Sequence, residues 1–276
     1  MNRRRTLATL LAAATLGWSV AAGAQIRSGE DPDASPMWHK IRASLFQSRP
    51  INAQADAVIA IEAPTRAEDA AIVPIAVRTR LEQRPDRYVE KVYLIIDQNP
   101  SPLSAVFQFT PEAGRADIET RVRIDEYTFV RAIAETSDGQ LHMATRFVKA
   151  SGGCSAPPGK DQQAALATLG RMRLQVVGEM AYGRPVLAQL MVSHPNNSGL
   201  AMDQVSRQYT PAHFVRKVDV TYAGKPVMSA DLDFSISENP NLRFYFVPRG
   251  EGALKAEVVD SKDLRFESAL ALRAPH

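Results

Sequence analysis

The residue best suited to covalent chemistry here is Cys154, the only cysteine among 276 residues. It lies in the stretch Ala150-Ser151-Gly152-Gly153-Cys154-Ser155-Ala156-Pro157-Pro158-Gly159. In its thiolate form a cysteine attacks disulfide-type sulfur and becomes covalently attached to it. Buried cysteines usually sit within apolar runs. This stretch is small and polar, so an exposed thiol is expected. Gly152 and Gly153 have no side chains to pack over the sulfur, and they supply a thin, bendable backbone that could carry it. Lys149 and Lys160 flank the segment and would favour the thiolate on approach. An unpaired thiol in an exported chain also admits an intermolecular disulfide.

Little else in the chain points to chemistry. The sequence has no G-x-S-x-G, H-E-x-x-H, C-x-x-C-H or phosphate-cradling glycine loop. The histidines His39, His142, His194, His213 and His276 are scattered without ligand spacing, and one cysteine cannot make a structural zinc site alone. His194 before Pro195 and His213 after Pro211 read as turn residues at strand ends. Asp231 and Asp233, alternating with Leu232 and Phe234, read as a solvated strand face. We therefore expect no metal, no organic cofactor and no catalysis by the chain acting alone.

The N-terminus bears on compartment. Met1-Asn2-Arg3-Arg4-Arg5 precedes an apolar run from about Leu7 to Ala21, then the small-x-small site Ala22-Gly23-Ala24. Residues 1–24 thus form a signal peptide, with Arg3-Arg4 resembling a twin-arginine signal, and the mature chain is expected in the periplasm without a membrane anchor. The formal charge of the whole chain is +3, and the signal contributes three arginines and no acid, so the mature chain is 3 − 3 = 0. A neutral mature chain gives no support for nucleic-acid or anionic-lipid binding.

The scaffold reads as all-β. Ser35 is a suitable N-cap and Pro36 a suitable first residue for a short helix with Trp38, Ile41 and Leu45 on one face. Short alternating segments follow: Val58–Ile61, Ile72–Arg78, Val89–Asp97, Ser104–Phe109, Ile118–Ile124, Thr128–Glu135 and Leu141–Val148. Asp138-Gly139 marks a hairpin. A second series resumes at Arg173–Val177, Val186–Ser193, Phe214–Tyr222, Val227–Phe234, Arg243–Val247, Leu254–Val259 and Phe266–Leu272. Between them, Asp161 to Leu169 suits a short helix ended by Gly170. The spacing predicts two immunoglobulin-like β-sandwich domains in tandem: 25–150 and 171–276, joined by a Gly/Pro-rich arm and linker at 151–170. Asn99-Pro100 before Phe107-Gln108-Phe109 is echoed by Asn239-Pro240 before Phe244-Tyr245-Phe246.

At this point the residues resemble a family. Asp138-Gly139, Val148-Lys149 and Gly152-Gly153-Cys154, with Ile72-Val73-Pro74-Ile75 and Asn99-Pro100-Ser101-Pro102, are similar to SoxY, the sulfur-carrier subunit of the thiosulfate-oxidising system. Ser193-His194-Pro195, Gly199, Pro211-Ala212-His213-Phe214, Gly224-Lys225-Pro226-Val227 and Ile236-Ser237-Glu238-Asn239-Pro240 are similar to its partner SoxZ. The whole resembles fused SoxYZ-like carriers associated with quinoprotein dehydrogenases. The resemblance implies that Cys154 bears a covalent sulfur adduct, with Gly152 and Gly153 giving its arm flexibility. Partner enzymes of cytochrome c and hydrolase type, or a quinoprotein dehydrogenase, would process the adduct. Three departures stand out: Ser155 and Ala156 replace two glycines, Asn196-Asn197 follows His194-Pro195, and Cys154 is internal rather than terminal. An internal arm suggests a nick near Pro157-Pro158. The other reading is a non-covalent accessory protein that docks a quinoprotein dehydrogenase system, with Cys154 incidental.

Overall fold

The computed structural model describes residues 31–53, 55–157, 162–203 and 206–273. Residues 1–24, read from the sequence as a signal peptide, and Pro158, Lys160 and His276 lie outside the described residues. Residues 31–276 form one compact unit. Among the described residues, no helix is long and apolar enough to cross a membrane.

The chain opens with α1 (Pro36–Phe46), where Ser35 Oγ accepts the Trp38 backbone N–H at 3.2 Å and Pro36 leads the first turn. Trp38 and Phe46 pack on Ile95, Ile133, Leu141 and Met143. Leu45, expected on the buried face, is 36% exposed. The helix ends at Gln47 with a positive φ of 53°, and Phe46 turns inward onto Tyr93, ring edge to face at 5.1 Å.

The first half supplies β1 (Ile51–Asn52), β2 (Ile59–Glu62), β3 (Val73–Thr79), β4 (Val89–Ile96), β5 (Leu103–Phe109), β6 (Ile118–Val122), β7 (Thr128–Thr136) and β8 (Leu141–Val148). After α2 (Gln162–Ala167), the second half supplies β9 (Met172–Val177), β10 (Val186–Val192), β11 (Val215–Tyr222), β12 (Lys225–Leu232), β13 (Asn241–Phe246), β14 (Gly252–Asp260) and β15 (Arg265–Leu272). The alternation seen in the sequence becomes alternating burial, as in β3, where Val73, Ile75 and Val77 point inward. Hairpin turns adopt positive φ: Gly139 at 81° between β7 and β8, and Ala223-Gly224 at 48° and 79° between β11 and β12; the glycines do so without steric cost, Ala223 does not.

Two sheets face each other across one apolar core. One has nine strands in the order β1-β8-β7-β4-β5-β12-β11-β14-β15, the other six in the order β2-β3-β6-β13-β10-β9. Within each half the sheets are assembled alike: β8-β7-β4-β5 over β2-β3-β6, and β15-β14-β11-β12 over β9-β10-β13. Each half is an immunoglobulin-like sandwich, and the two join edge to edge in both layers. The joining strands are counterparts: β5 pairs antiparallel with β12, and β6 with β13. Phe107 faces Ala230 across one seam, and across the other Glu119 faces Arg243, with an ion pair of 2.8 Å. Such a self-complementary contact is the intramolecular form of a two-fold interface.

This arrangement corrects the sequence echo. Phe107-Gln108-Phe109 lies in β5, whose counterpart is β12, whereas Phe244-Tyr245-Phe246 lies in β13, in the other sheet. Strand order carries the internal repeat, and the shared Asn-Pro is a common turn dipeptide.

Candidate functional site

Beyond Val148 the chain does not leave the body. Lys149 pairs with the 65–67 segment through bonds of 2.9 and 3.1 Å, and the next residues run into the groove between the two halves. Gly152 N–H donates to Asp125 O at 2.7 Å and Gly153 N–H to Ile124 O at 2.9 Å. Cys154 N–H donates to Asp125 Oδ1 at 3.3 Å, and Cys154 O accepts from Ser198 Oγ at 2.6 Å. The first half holds the segment from one side and the second half closes it from the other.

Cys154 is 1% exposed, which corrects the expectation of an exposed thiol. The reasoning from Gly152 and Gly153 failed at Gly153. A residue without a side chain cannot cover a neighbour, but it allows very close backbone approach. A β-carbon on Gly153 would overlap the Ala70 carbonyl and stand 2.6 Å from Ile124 O. Gly152 is different. It is solvent-exposed with φ of 79°, and a β-carbon there would meet nothing within 4 Å. One glycine seats the segment and the other turns it.

Burial pushes the Cys154 thiol up to about 12, the Asp125 and Asp233 carboxylates adding to this and Arg123 opposing it. The seated thiol is therefore protonated and poorly nucleophilic. Lys149, invoked from sequence as a thiolate-stabilising neighbour, is not among the charges of the described residues that act on it; Lys160 lies outside the described residues.

Nothing in the residue pattern singles out Arg123. Alternation through Ile118–Ile124 points it to solvent, but β6 stops at Val122 and the loop after β10 covers the next residue. Arg123 is 4% exposed. Its Nη2 donates to Asn196 O at 3.2 Å and its Nη1 reaches Gly153 O only at 3.5 Å. Its Nε is buried with no partner. Burial holds its pKa below the ordinary arginine value, the charges of Glu238, Cys154 and Asp69 opposing that shift. Asn99 fixes the turn that carries it: Nδ2 donates to Arg123 O at 2.8 Å and to Ser235 Oγ at 3.0 Å, and Oδ1 accepts Asp125 N–H at 3.0 Å. Asp233, expected on a solvated strand face, lies just beyond β12 and is half-buried; burial raises its pKa. Asp231 is exposed as expected.

The loop that supplies Asn196 and Ser198 rests on a buried cluster that sequence spacing concealed. His194, His213 and Asp260 converge, with one ligand-type atom from each lying within 4.8 Å of the others. His213 Nε2 is 2.7 Å from Asp260 Oδ2, and His194 Nε2 is 3.5 Å from it. His194 Nδ1 accepts the Asn196 N–H at 3.0 Å. The neutral His194 ring therefore carries its proton on Nε2, toward Asp260, and that nitrogen has no lone pair for a metal. Asp260 Oδ1 is occupied by the N–H groups of Lys262 and Leu264 at 2.8 and 2.9 Å. The arrangement is a hydrogen-bonded brace. Asn196 completes it, with Oδ1 accepting Val215 N–H and Nδ2 donating to Ile236 O, both at 3.0 Å. Of the other histidines, His142 lies buried in β8 and His39 on α1, both far in sequence from this brace.

The family model for sulfur oxidation protein SoxY matches residues 42–154, ending at Cys154, and that for sulphur oxidation protein SoxZ matches 174–271. Among solved structures, the sulfur carrier protein SoxY from Chlorobium limicola f thiosulfatophilum is 27% identical, covering 41% of this chain and 91% of its own, with a TM-score of 0.35. A superoxide reductase (neelaredoxin) from Ignicoccus hospitalis is 15% identical, covering 46% of this chain and 100% of its own, TM-score 0.29. The fibronectin(III)-like modules of Clostridium thermocellum CbhA are 13% identical, covering 79% and 98%, TM-score 0.22. No curated protein matches the chain. The chain belongs to the SoxY and SoxZ families of sulfur-oxidation proteins, joined in that order as a fused SoxYZ-like protein.

Proposed function

We propose that this protein is a periplasmic sulfur-compound carrier in which Cys154 holds intermediates of the thiosulfate-oxidation type for partner enzymes. The observation that supports this most directly is that the SoxY match runs up to the lone cysteine, which sits where the two halves meet. Loading joins the Cys154 sulfur to the outer sulfur of thiosulfate: Cys–SH and S2O3(2−) give Cys–S–S–SO3(−), one proton and two electrons. A redox partner of cytochrome c type accepts the electrons. A hydrolase then adds water across the terminal S–S bond, releasing sulfate and leaving Cys–S–SH. The carrier contributes position and protection. Seated, the thiol is inert, so partners act on the unseated segment. Gly152, with open space around it, supplies the bend for unseating.

The test is the intact mass of mature protein from native periplasm, with and without reductant, in cells given thiosulfate. A reductant-labile sulfur adduct on Cys154 supports the carrier reading. A bare thiol under every condition refutes it. The burial of Cys154 favours one other reading, a non-covalent accessory protein that docks a quinoprotein dehydrogenase system. Under that reading a Cys154→Ser strain keeps full activity, whereas a carrier loses it.

A further inference from the structure

Arg123 is a buried cation that its surroundings leave incompletely matched. Among the described residues no carboxylate comes within ion-pair distance of it. Its Nε has no partner, its Nη1 bond to Gly153 O is stretched to 3.5 Å, and only its Nη2 is well engaged. The other fully buried arginine shows what matching looks like. Arg131 holds Asp97 with two nitrogens at 2.7–3.1 Å, donates to Pro32 O at 2.7 Å and stacks over Trp38 at 4.3 Å. A buried charge without such partners is costly to the fold, and a buried N–H without an acceptor adds to that cost. Arg123 is nonetheless held at this position by Asn99 and Asn196, from both sides of the junction.

The acceptor that fits is an anion brought to this spot for only part of the protein's working cycle. The planar guanidinium offers neighbouring N–H donors in the fork geometry that matches oxyanions. Nη1, its loosely held donor, lies beside the Gly152-Gly153-Cys154 segment. From the carrier reading and this geometry, we infer that Arg123 is the binding group for a negatively charged, sulfonate-ended adduct on Cys154. The adduct displaces the long Gly153 O contact and accepts from Nη1 in its place. The loaded carrier is thereby seated more firmly than the unloaded one, and an uncharged adduct gains nothing.

The experiment uses the mature full chain with two probes. Tetrathionate converts Cys–SH to Cys–S–S–SO3(−), releasing thiosulfate and a proton, and so needs no separate oxidant. Methyl methanethiosulfonate gives Cys–S–S–CH3, the same disulfide bond without the charge, releasing methanesulfinate. Where the native thiol reacts slowly, both are loaded in urea and refolded, and loading is verified by intact mass. The thermal midpoint of each adduct is then compared, together with the rate at which a dithiol reductant strips it. The sulfonate-ended form is expected to melt at least about 2 °C above the methyl form and to resist the reductant longer. In Arg123→Gln the two adducts melt together. Equal midpoints for the two wild-type adducts overturn the inference, and this comparison stands even if Arg123→Gln fails to fold. A persistent difference in Arg123→Gln also overturns it. Either failure leaves the carrier reading untouched, because that depends on the adduct found in cells.

Discussion

Gly153 and Ala70 approach so closely that no β-carbon fits between them. The contact locks the Cys154 segment against the 70–71 turn, which also holds Ile124 through its N–H to Ala70 O at 2.9 Å. Gly153→Ala should therefore unseat the segment while leaving both sandwiches folded. Expected is a loss of about 1–3 kcal/mol and faster alkylation of Cys154 by iodoacetamide at neutral pH. An alkylation rate equal to wild type would mean that Gly153 does not control seating.

The seated thiol sets an alkaline limit. Its folded-state pKa, about 12, lies above the unfolded reference of 9.0. The unfolded or unseated chain gives up its proton first, so the thiol's contribution is present below pH 9 and is lost as pH rises toward 12. Native-state hydrogen exchange at 152–154 should accelerate in that window in wild type more than in Cys154→Ser. Identical profiles would remove the thiol as the cause.

The brace under Ser198 sets an acid limit. Burial, then the neighbouring His213, lowers His194 from the usual 6.5 to about 4. The unfolded state binds the proton first, so the neutral ring's contribution is full above about pH 6.5 and declines as pH falls toward 4, by up to about 3 kcal/mol. Burial works to raise Asp260, but the His213 bond and two backbone N–H groups outweigh it and hold its pKa low. Its contribution is lost at lower pH still. Urea midpoints measured between pH 7 and 4 should fall in wild type and much less in His194→Gln. A flat wild-type profile would count against the buried neutral ring.

Asp97→Ala removes the carboxylate from a fully buried guanidinium. Leaving Arg131 uncompensated should cost about 3–5 kcal/mol and loosen Pro32 and α1, whose Trp38 lies over the same guanidinium. Far-UV and tryptophan fluorescence melts would register both effects. The double variant Asp97→Val with Arg131→Met should recover much of the loss. A cost under about 1 kcal/mol for the single variant would place the pair among ion pairs of surface strength.

How far the sequence could be read depended on distance along the chain. Alternation is a local signal, so β2 to β15 were found within a residue or two of their ends, as were the Ser35 cap and the Gly139 turn. The two-residue β1 escaped notice, because Ile51-Asn52 is too short to alternate and is defined only by its parallel pairing with Leu141-His142. The seam was invisible for a related reason. Nothing near Phe107 indicates that Ala230 will lie beside it. The site shows the same division. Cys154 was legible from its type and its glycines. Its burial was not, because the residues covering it come from 123–125 and 196–198. His194, His213 and Asp260 look scattered in sequence and meet only when β10, β11 and β14 are assembled.

The Cys154 segment is anchored at both ends, and that fixes a length. Cys154 lies six residues along the chain from Val148, the last residue of β8. At about 3.3–3.6 Å per residue the thiol can travel no more than about 20 Å from its root, and a second strand of chain must accompany it. Under the proposed carrier role, a partner's reaction centre must lie within that depth, behind an opening wide enough for a hairpin. Partners of an intact chain of this kind are selected by the shape of their entrance as much as by their chemistry.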